Sequence, residues 1–215
     1  MVPRALVKRF FPIIITVAIF IGTALVLLAQ QKWGLMIIPV ALLPAILLPV
    51  FTDRWIKLYF PTGVQSHYAL LLLAGPYTGG VLNRYDAWPI WDTLVHVYSG
   101  FVVTFIILVV LSATSQRYSL RFPLWFEVLV LLAIKAFIAV LWEMGEFTYD
   151  HLFSPGELAQ LSNYDTMIDM MSGLGPGVLI SAILIVYRRK GWFSSMRAVF
   201  DPCTAPARTG DTAKW

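Results

Sequence analysis

Charge is scarce in this chain. Of 215 residues, 16 are Lys or Arg and 12 are Asp or Glu, so charged side chains make up only 13%. Soluble domains carry about 25%. The apolar fraction is 59% and the mean hydropathy +0.75, which together exclude an ordinary water-soluble core. Cysteine is nearly absent: Cys203 stands alone. A single thiol makes no internal disulfide and supplies no cysteine-based zinc site. Histidine is limited to His67, His96 and His151. The net charge of +4 does not point to nucleic acid, because the basic residues flank apolar runs and therefore report topology.

What the chain has in quantity is long apolar runs. Six can be placed, at about 10–30, 33–51, 66–82, 93–111, 124–147 and 166–187. A helix needs roughly 20 apolar residues to cross a bilayer. The runs lack barrel-type alternation, and only helices or closed barrels satisfy the backbone in lipid. The expected fold is all-α: a polytopic membrane helical bundle of about six transmembrane helices. Residues 1–200 form one transmembrane domain, and 201–215 a disordered cytoplasmic tail. The opening MVPRALVKRFFPIII is basic, but the run Phe10–Ala29 is longer than a secretory signal core, so it reads as an uncleaved first span. Arg4, Lys8, Arg9, Arg54, Lys57, Arg117, Arg121 and the basic tail would share one side, leaving Lys32 and Arg84 on the other. That asymmetry places both termini in the cytoplasm. Kinks or unwinding are expected at Gly75-Pro76 and at Gly173–Gly177, where proline removes a donor.

Two stretches spell nearly the same word. Residues 91–101 read WDTLVHVYSGF and residues 164–174 read YDTMIDMMSGL. Each opens an apolar segment with an aspartate and puts a second polar group, His96 or Asp169, one turn further in. Asp92 and Asp165 would also suit helix N-caps. A cap explains neither His96 nor Asp169, and ionisable groups inside a span are costly and face a partner, cavity or ion. Helix five ends in WEMGEF, placing Glu143 and Glu146 where the helix dipole disfavours anions. Three helices thus bring Asp92, His96, Glu143, Glu146, Asp165 and Asp169 to one depth near the outer face. So many like charges need protons or a cation. Lys135, near mid-membrane on the Glu146 face, is a candidate for the floor of such a cavity. Ser99-Gly100 and Ser172-Gly173 suit close helix packing. His67 lies at the far end, whereas Asp150 and His151 could join the cluster or be solvated. The long connection over 148–164 suits a short surface helix near 156–161, and a lid.

These motifs, WDTLVHVYSGF, WEMGEF and YDTMIDMMSGLGPG, resemble the YjdF-like inner-membrane proteins. More distantly the chain is similar to the VanZ-like proteins, some of which are associated with glycopeptide resistance. Asp92, His96, Glu143, Asp165 and Gly173 match the VanZ-like pattern, whereas Glu146 stands for a Gln and Asp169 for an Asn. The resemblance implies a cell-membrane, multi-pass protein and supports the clustering, without supplying a mechanism.

Three functions remain open on the sequence. The first is a ligand-binding or partner module for a small amphipathic molecule or envelope component, in contact with the lipid bilayer. The second is a membrane enzyme acting on a lipid-linked or amphipathic substrate with a divalent metal ion, for which Asp92, His96, Glu143, Glu146 and Asp169 are the candidate ligands. The third is a proton- or cation-coupled transporter using the broken sixth helix. Oligomeric state is not readable.

Overall fold

A computed structural model describes residues 4–88, 90–152, 162–193 and 200. The tail 201–215 with Cys203, and the helix expected at 156–161, lie outside the described residues. The described chain is helical throughout: α1 (Arg4–Arg9), α2 (Phe11–Ala29), α3 (Trp33–Ile46), α4 (Leu48–Phe51), α5 (Thr62–Leu72), α6 (Arg84–Ala87), α7 (Ile90–Tyr118), α8 (Leu124–Leu152) and α9 (Asn163–Lys190). Among the described residues five stretches are long and apolar enough to cross a membrane: Phe11–Ala29, Trp33–Ile56, Ile90–Tyr118, Leu124–Leu152 and Asn163–Lys190. The expected third segment also forms helix, but in two pieces. α5 gives way to a wider, π-helical stretch over Leu73–Val81, broken at Gly75 with ψ −105°. Pro76 is the cause, since a proline pushes the preceding residue out of helical geometry.

The chain divides into two compact units, Met1–Val95 with Tyr149–Leu158, and His96–Thr148 with Ala159–Trp215. In the first, α2, α3 and α5 enclose a core of Phe10, Ile13, Phe20, Leu42, Ile46, Ala69 and Leu72. Gln31, with φ 59°, makes the tight turn from α2 into α3. Pro39 and Pro44 are accommodated inside α3. The broken segment is tied down by polar contacts. The Trp91 indole donates to the Ala74 carbonyl at 2.9 Å, and the Tyr77 and Thr23 hydroxyls pair at 2.9 Å. Tyr85 lays its ring where a side chain on Gly79 would stand. At the other end Arg9 forms an ion pair with Asp53 and lies 4.1 Å from the Tyr59 ring centroid.

The second unit is three helices turned inside out. Along α8, Glu127, Leu131, Lys135, Ala139 and Glu143 are buried, whereas Leu129, Ile134, Phe137, Val140, Leu141 and Met144 are exposed. The buried residues recur every fourth position, one stripe of a helix. A soluble helix buries its apolar stripe and exposes its charges; this one does the reverse, as lipid demands. Matching stripes run down α9 through Asp169, Gly173, Gly177, Ile180 and Leu184, and down α7 through His96, Gly100, Thr104, Ile107 and Leu111. Ile107, Leu108, Leu111, Leu131, Ile180, Leu184 and Phe200 form the apolar core.

Glycine sets the approach of α7 to α9. A Cβ on Gly100 would lie 2.5 Å from the Gly173 carbonyl oxygen and 2.7 Å from Pro176 Cγ. Gly177 meets Thr104, and Thr104 itself donates to the Gly100 carbonyl at 2.6 Å. These pairings make α7 and α9 parallel. α8 runs against them, because Glu127 near its start pairs with Arg188 near the end of α9, at 3.3 Å. α9 differs from expectation: it is continuous helix from Asn163 to Lys190, with Pro176 inside it. Close packing against Gly100 holds the chain helical across the glycine-rich stretch.

The packing has a direct test. Gly100→Ala forces backbone and proline apart and should cost about 1–3 kcal/mol, as overpacking does. Gly175 faces open space, so Gly175→Ala should be neutral or slightly stabilising. Equal thermal denaturation of the two variants in detergent would contradict the arrangement.

Candidate functional site

Three ionisable side chains, one from each helix of the second unit, converge at one end of it. His96, Glu143 and Asp169 each present a ligand atom within 4.8 Å of those of the other two, and all three residues are buried. Their positions follow from the stripes: His96 lies one turn before Gly100, Asp169 one turn before Gly173, and Glu143 two turns beyond Lys135. The two similar stretches therefore correspond in place as well as spelling. His96 and Asp169 occupy equivalent places in them, as do Gly100 and Gly173, and both equivalent pairs meet across the α7–α9 contact.

The surroundings orient these groups. The His96 ring meets the Trp142 ring edge-on, with centroids 6.5 Å apart at 81°. Trp142 in turn donates its indole N–H to Glu146 Oε1 at 2.8 Å. Glu146 lies within 4.8 Å of His96 by its nearest ligand atom, but it is less buried than Glu143 and is held by Trp142 on its own helix. Ser99 donates its hydroxyl to the His96 carbonyl at 2.8 Å. Trp142 was not among the candidate residues of the sequence. Its spacing of one turn before Glu146 was the available signal.

The aspartates at the helix starts are placed differently from a capping role. The N-cap of α9 is Ser162, whose hydroxyl accepts from the Asp165 amide at 3.2 Å. Asp165 sits inside the first turn, where a carboxylate suits the dipole, within 4.8 Å of Asp169. Asp92 likewise lies inside the first turn of α7. It precedes His96 by one turn on the same helix, so the two share a face, although Asp92 is counted with the first unit. Asp150 is buried and His151 exposed in the stretch of α8 that belongs to the first unit. His67 is exposed on α5.

Beneath the three convergent groups lies Lys135, only 2% exposed. Its Cγ stands 3.5 Å from where a Cβ on Gly177 would be, and its Nζ 3.3 Å from the corresponding point on Gly173. The side chain thus climbs along α9 toward Asp169. The two glycines are what leave room for it.

At the opposite end of α8, roughly 24 Å from Glu143 along the axis, Glu127 is buried against Arg188, which also donates to the Phe200 carbonyl at 2.9 Å. That pair is a structural contact between the two helix ends.

Helices of this length and composition, with ionisable groups turned inward, define a multi-pass α-helical membrane protein. The chain belongs to the family described as Predicted membrane protein (DUF2238), which matches residues 10–190. A Thermotoga maritima protein, described as uncharacterized, is 33% identical over 116 residues, covering 52% of this chain and 55% of the relative. The chain therefore spans about half the length of that relative. No solved structure matches.

The Trp142–Glu146 contact should be measurable. Trp142→Phe keeps the ring and removes the donor, so it should cost about 1.5–3 kcal/mol if Glu146 is ionised. Glu146→Gln keeps an acceptor oxygen and should cost less. Denaturation of the purified variants compares them, and a Trp142→Phe protein as stable as wild type would remove this contact from the account.

Proposed function

We propose that the protein is a membrane-embedded ligand-binding module whose site is organised by a divalent metal ion on His96, Glu143 and Asp169. The observation that carries this is the convergence of one imidazole and two carboxylates, each buried, on three separate helices. Donors on one ion at about 2.0–2.2 Å stand at most roughly 4.4 Å apart. The 4.8 Å spread needs only small rotamer adjustment to reach that. A nitrogen with two carboxylate oxygens suits Zn, Mn or Fe(II) better than a thiol-seeking ion. Three protein ligands leave coordination positions open, which a bound molecule or water can take. Glu146 and Asp165 are read as the polar rim that orients these ligands.

The open positions also keep the enzymatic reading in play. A metal-bound water or a polarised phosphoryl oxygen would be the reactive element on a lipid-linked substrate. The transporter reading has lost its main support, because α9 is continuous where a discontinuous helix was expected. Thr62–Val81 is read as a sixth span, since α5 and the stretch after it together are long enough to cross. The basic residues at alternate helix ends support cytoplasmic termini, an inner-membrane location and a site near the outer face. The YjdF-like and VanZ-like resemblance agrees with the same clustering, and Glu146 and Asp169 make this site more acidic than the VanZ-like pattern.

Metal titration of the full chain in detergent decides the matter. Wild type should bind about one equivalent of Mn²⁺ or Zn²⁺, followed by calorimetry and by elemental analysis after desalting. His96→Ala, Glu143→Gln and Asp169→Asn should each weaken binding by at least the 10–100-fold seen for outer-shell losses. Binding of neither ion by wild type, or binding unchanged in all three variants, overturns the proposal.

A further inference from the structure

The two ends of the hairpin built from α2 and α3 return to one place. The stretches Phe11–Ala29 and Trp33–Ile56 are joined at the Gln31 turn, and the residues just outside them meet, because Arg9 pairs with Asp53. That contact sets Lys8 and Arg9, before the first stretch, beside Arg54 and Lys57, at the end of the second. All four belong to the first unit. Asp53 is the only acidic residue in the chain before Asp86. Arg9 cancels it, so this part of the chain keeps the positive charges of Lys8, Arg54 and Lys57, all three of them exposed.

The turn that presents these cations has a fixed shape. Thr52–Ile56 is π-helical, and the Thr52 hydroxyl donates to the Pro49 carbonyl at 3.1 Å. Lys57 ends the turn with a left-handed backbone, φ 57°, and its ammonium donates to the Arg54 carbonyl at 3.1 Å. On the same turn the Trp55 ring stacks on Phe51, with centroids 5.1 Å apart and planes 7° from parallel. Trp55 is 73% exposed and Ile56 54%. Large exposed apolar groups among cations, at the end of a membrane-crossing stretch, mark the depth of the lipid headgroups.

That combination selects the partner. An acidic soluble protein would answer the cations but leave Trp55 and Ile56 against the bilayer with no part in recognition. A zwitterionic headgroup carries its own ammonium, which the excess positive charge repels. An anionic phospholipid offers a phosphate to the cations and a glycerol and acyl region to the two apolar side chains, and basic residues flanking a span attract such lipids. We infer that Lys8, Arg54 and Lys57 form a binding site for the phosphate of an anionic phospholipid, with Trp55 and Ile56 against its upper acyl region. The site is independent of the metal reading and uses none of its residues.

Full-length protein in dodecyl maltoside, stripped of phospholipid, would be titrated with phosphatidylglycerol or with phosphatidylcholine of the same chains. Native mass spectrometry reads the affinity of the first lipid bound. Wild type should bind phosphatidylglycerol at least tenfold more tightly than phosphatidylcholine. Losing one basic residue near the surface should weaken an anionic lipid about fivefold, so Lys8→Gln with Arg54→Gln should weaken phosphatidylglycerol roughly 25-fold and leave phosphatidylcholine unchanged. Two other exposed cations serve as controls: Lys32, at the opposite end of the hairpin, and Arg121, in the second unit. Lys32→Gln and Arg121→Gln should each leave the first phosphatidylglycerol in place.

Equal binding of the two lipids overturns the proposal, as does a phosphatidylglycerol preference that survives the double variant. A loss as large with Lys32→Gln or Arg121→Gln also overturns it, since net charge and not this patch would then be at work. Glycerol 3-phosphate binding as tightly as the whole lipid removes the membrane as the source and overturns it too. Should the double variant fail to fold, Lys8→Gln alone changes one exposed side chain and should weaken phosphatidylglycerol about fivefold; no effect of that variant overturns the site.

Discussion

The fold of the second unit turns on one constraint: ionisable side chains on helices that face lipid must be gathered where the helices face each other. An unpaired charge in hydrocarbon costs about 2.5–3.5 kcal/mol even on the mildest scale. α8 shows the consequence. Glu127, Lys135 and Glu143 occupy its buried stripe, while Phe137, Val140, Leu141 and Met144 face outward. The apolar residues that would make a core in water are here the cheapest to expose. The interior is left to small residues and to the few groups that cannot be exposed.

Small residues make that interior possible. Three helices can carry His96, Glu143, Asp169 and Lys135 inward only if their axes stay close enough for the groups to meet and open enough for the lysine to pass. Gly100 against Gly173 meets the first requirement, and Gly173 with Gly177 the second. Dispersion and weak Cα–H contacts to carbonyl oxygens hold such interfaces where no hydrophobic force acts between helices. The result is a rigid scaffold, and rigid elements position a site better than loops do.

Much of this was legible in the residues. The apolar runs marked α2, α3, α7, α8 and α9, although α7 continues to Tyr118 and α8 to Leu152, past the apolar stretches themselves; the repeated Asp-Thr stretches singled out His96 and Asp169, which do converge. Three features were not. The third segment splits at Gly75, because local backbone geometry before Pro76 overrides apolar length. α9 stays whole at Gly173–Gly177, where the same residue types suggested a break, because Gly100 packs against it from another helix. Asp165 yields the cap to Ser162, since a hydroxyl in the extended residue before the helix reaches the Asp165 amide. In each case tertiary packing or a one-residue shift decided, and neither is written in composition or periodicity.

Two cations among the described residues of the second unit, Lys135 buried and Arg188 partly so, sharpen what counts as a site. Arg188 and Lys135 both lie against α9 or on α8, and both are largely withdrawn from solvent. Arg188 is answered twice, by the Glu127 carboxylate and by the Phe200 carbonyl, and a guanidinium has donors enough for both. That contact ties the start of α8 to the end of α9 and serves the fold. Lys135 is instead given space to extend past Gly177 and Gly173. A protein selected only for stability would replace it with Leu or Met, since well-packed apolar residues commonly equal or exceed a buried charge. Keeping a lysine there, on the stripe that leads to Glu143 and beside the glycine track that leads to Asp169, sets a positive charge beneath the buried carboxylates of the unit, where like charges would otherwise repel.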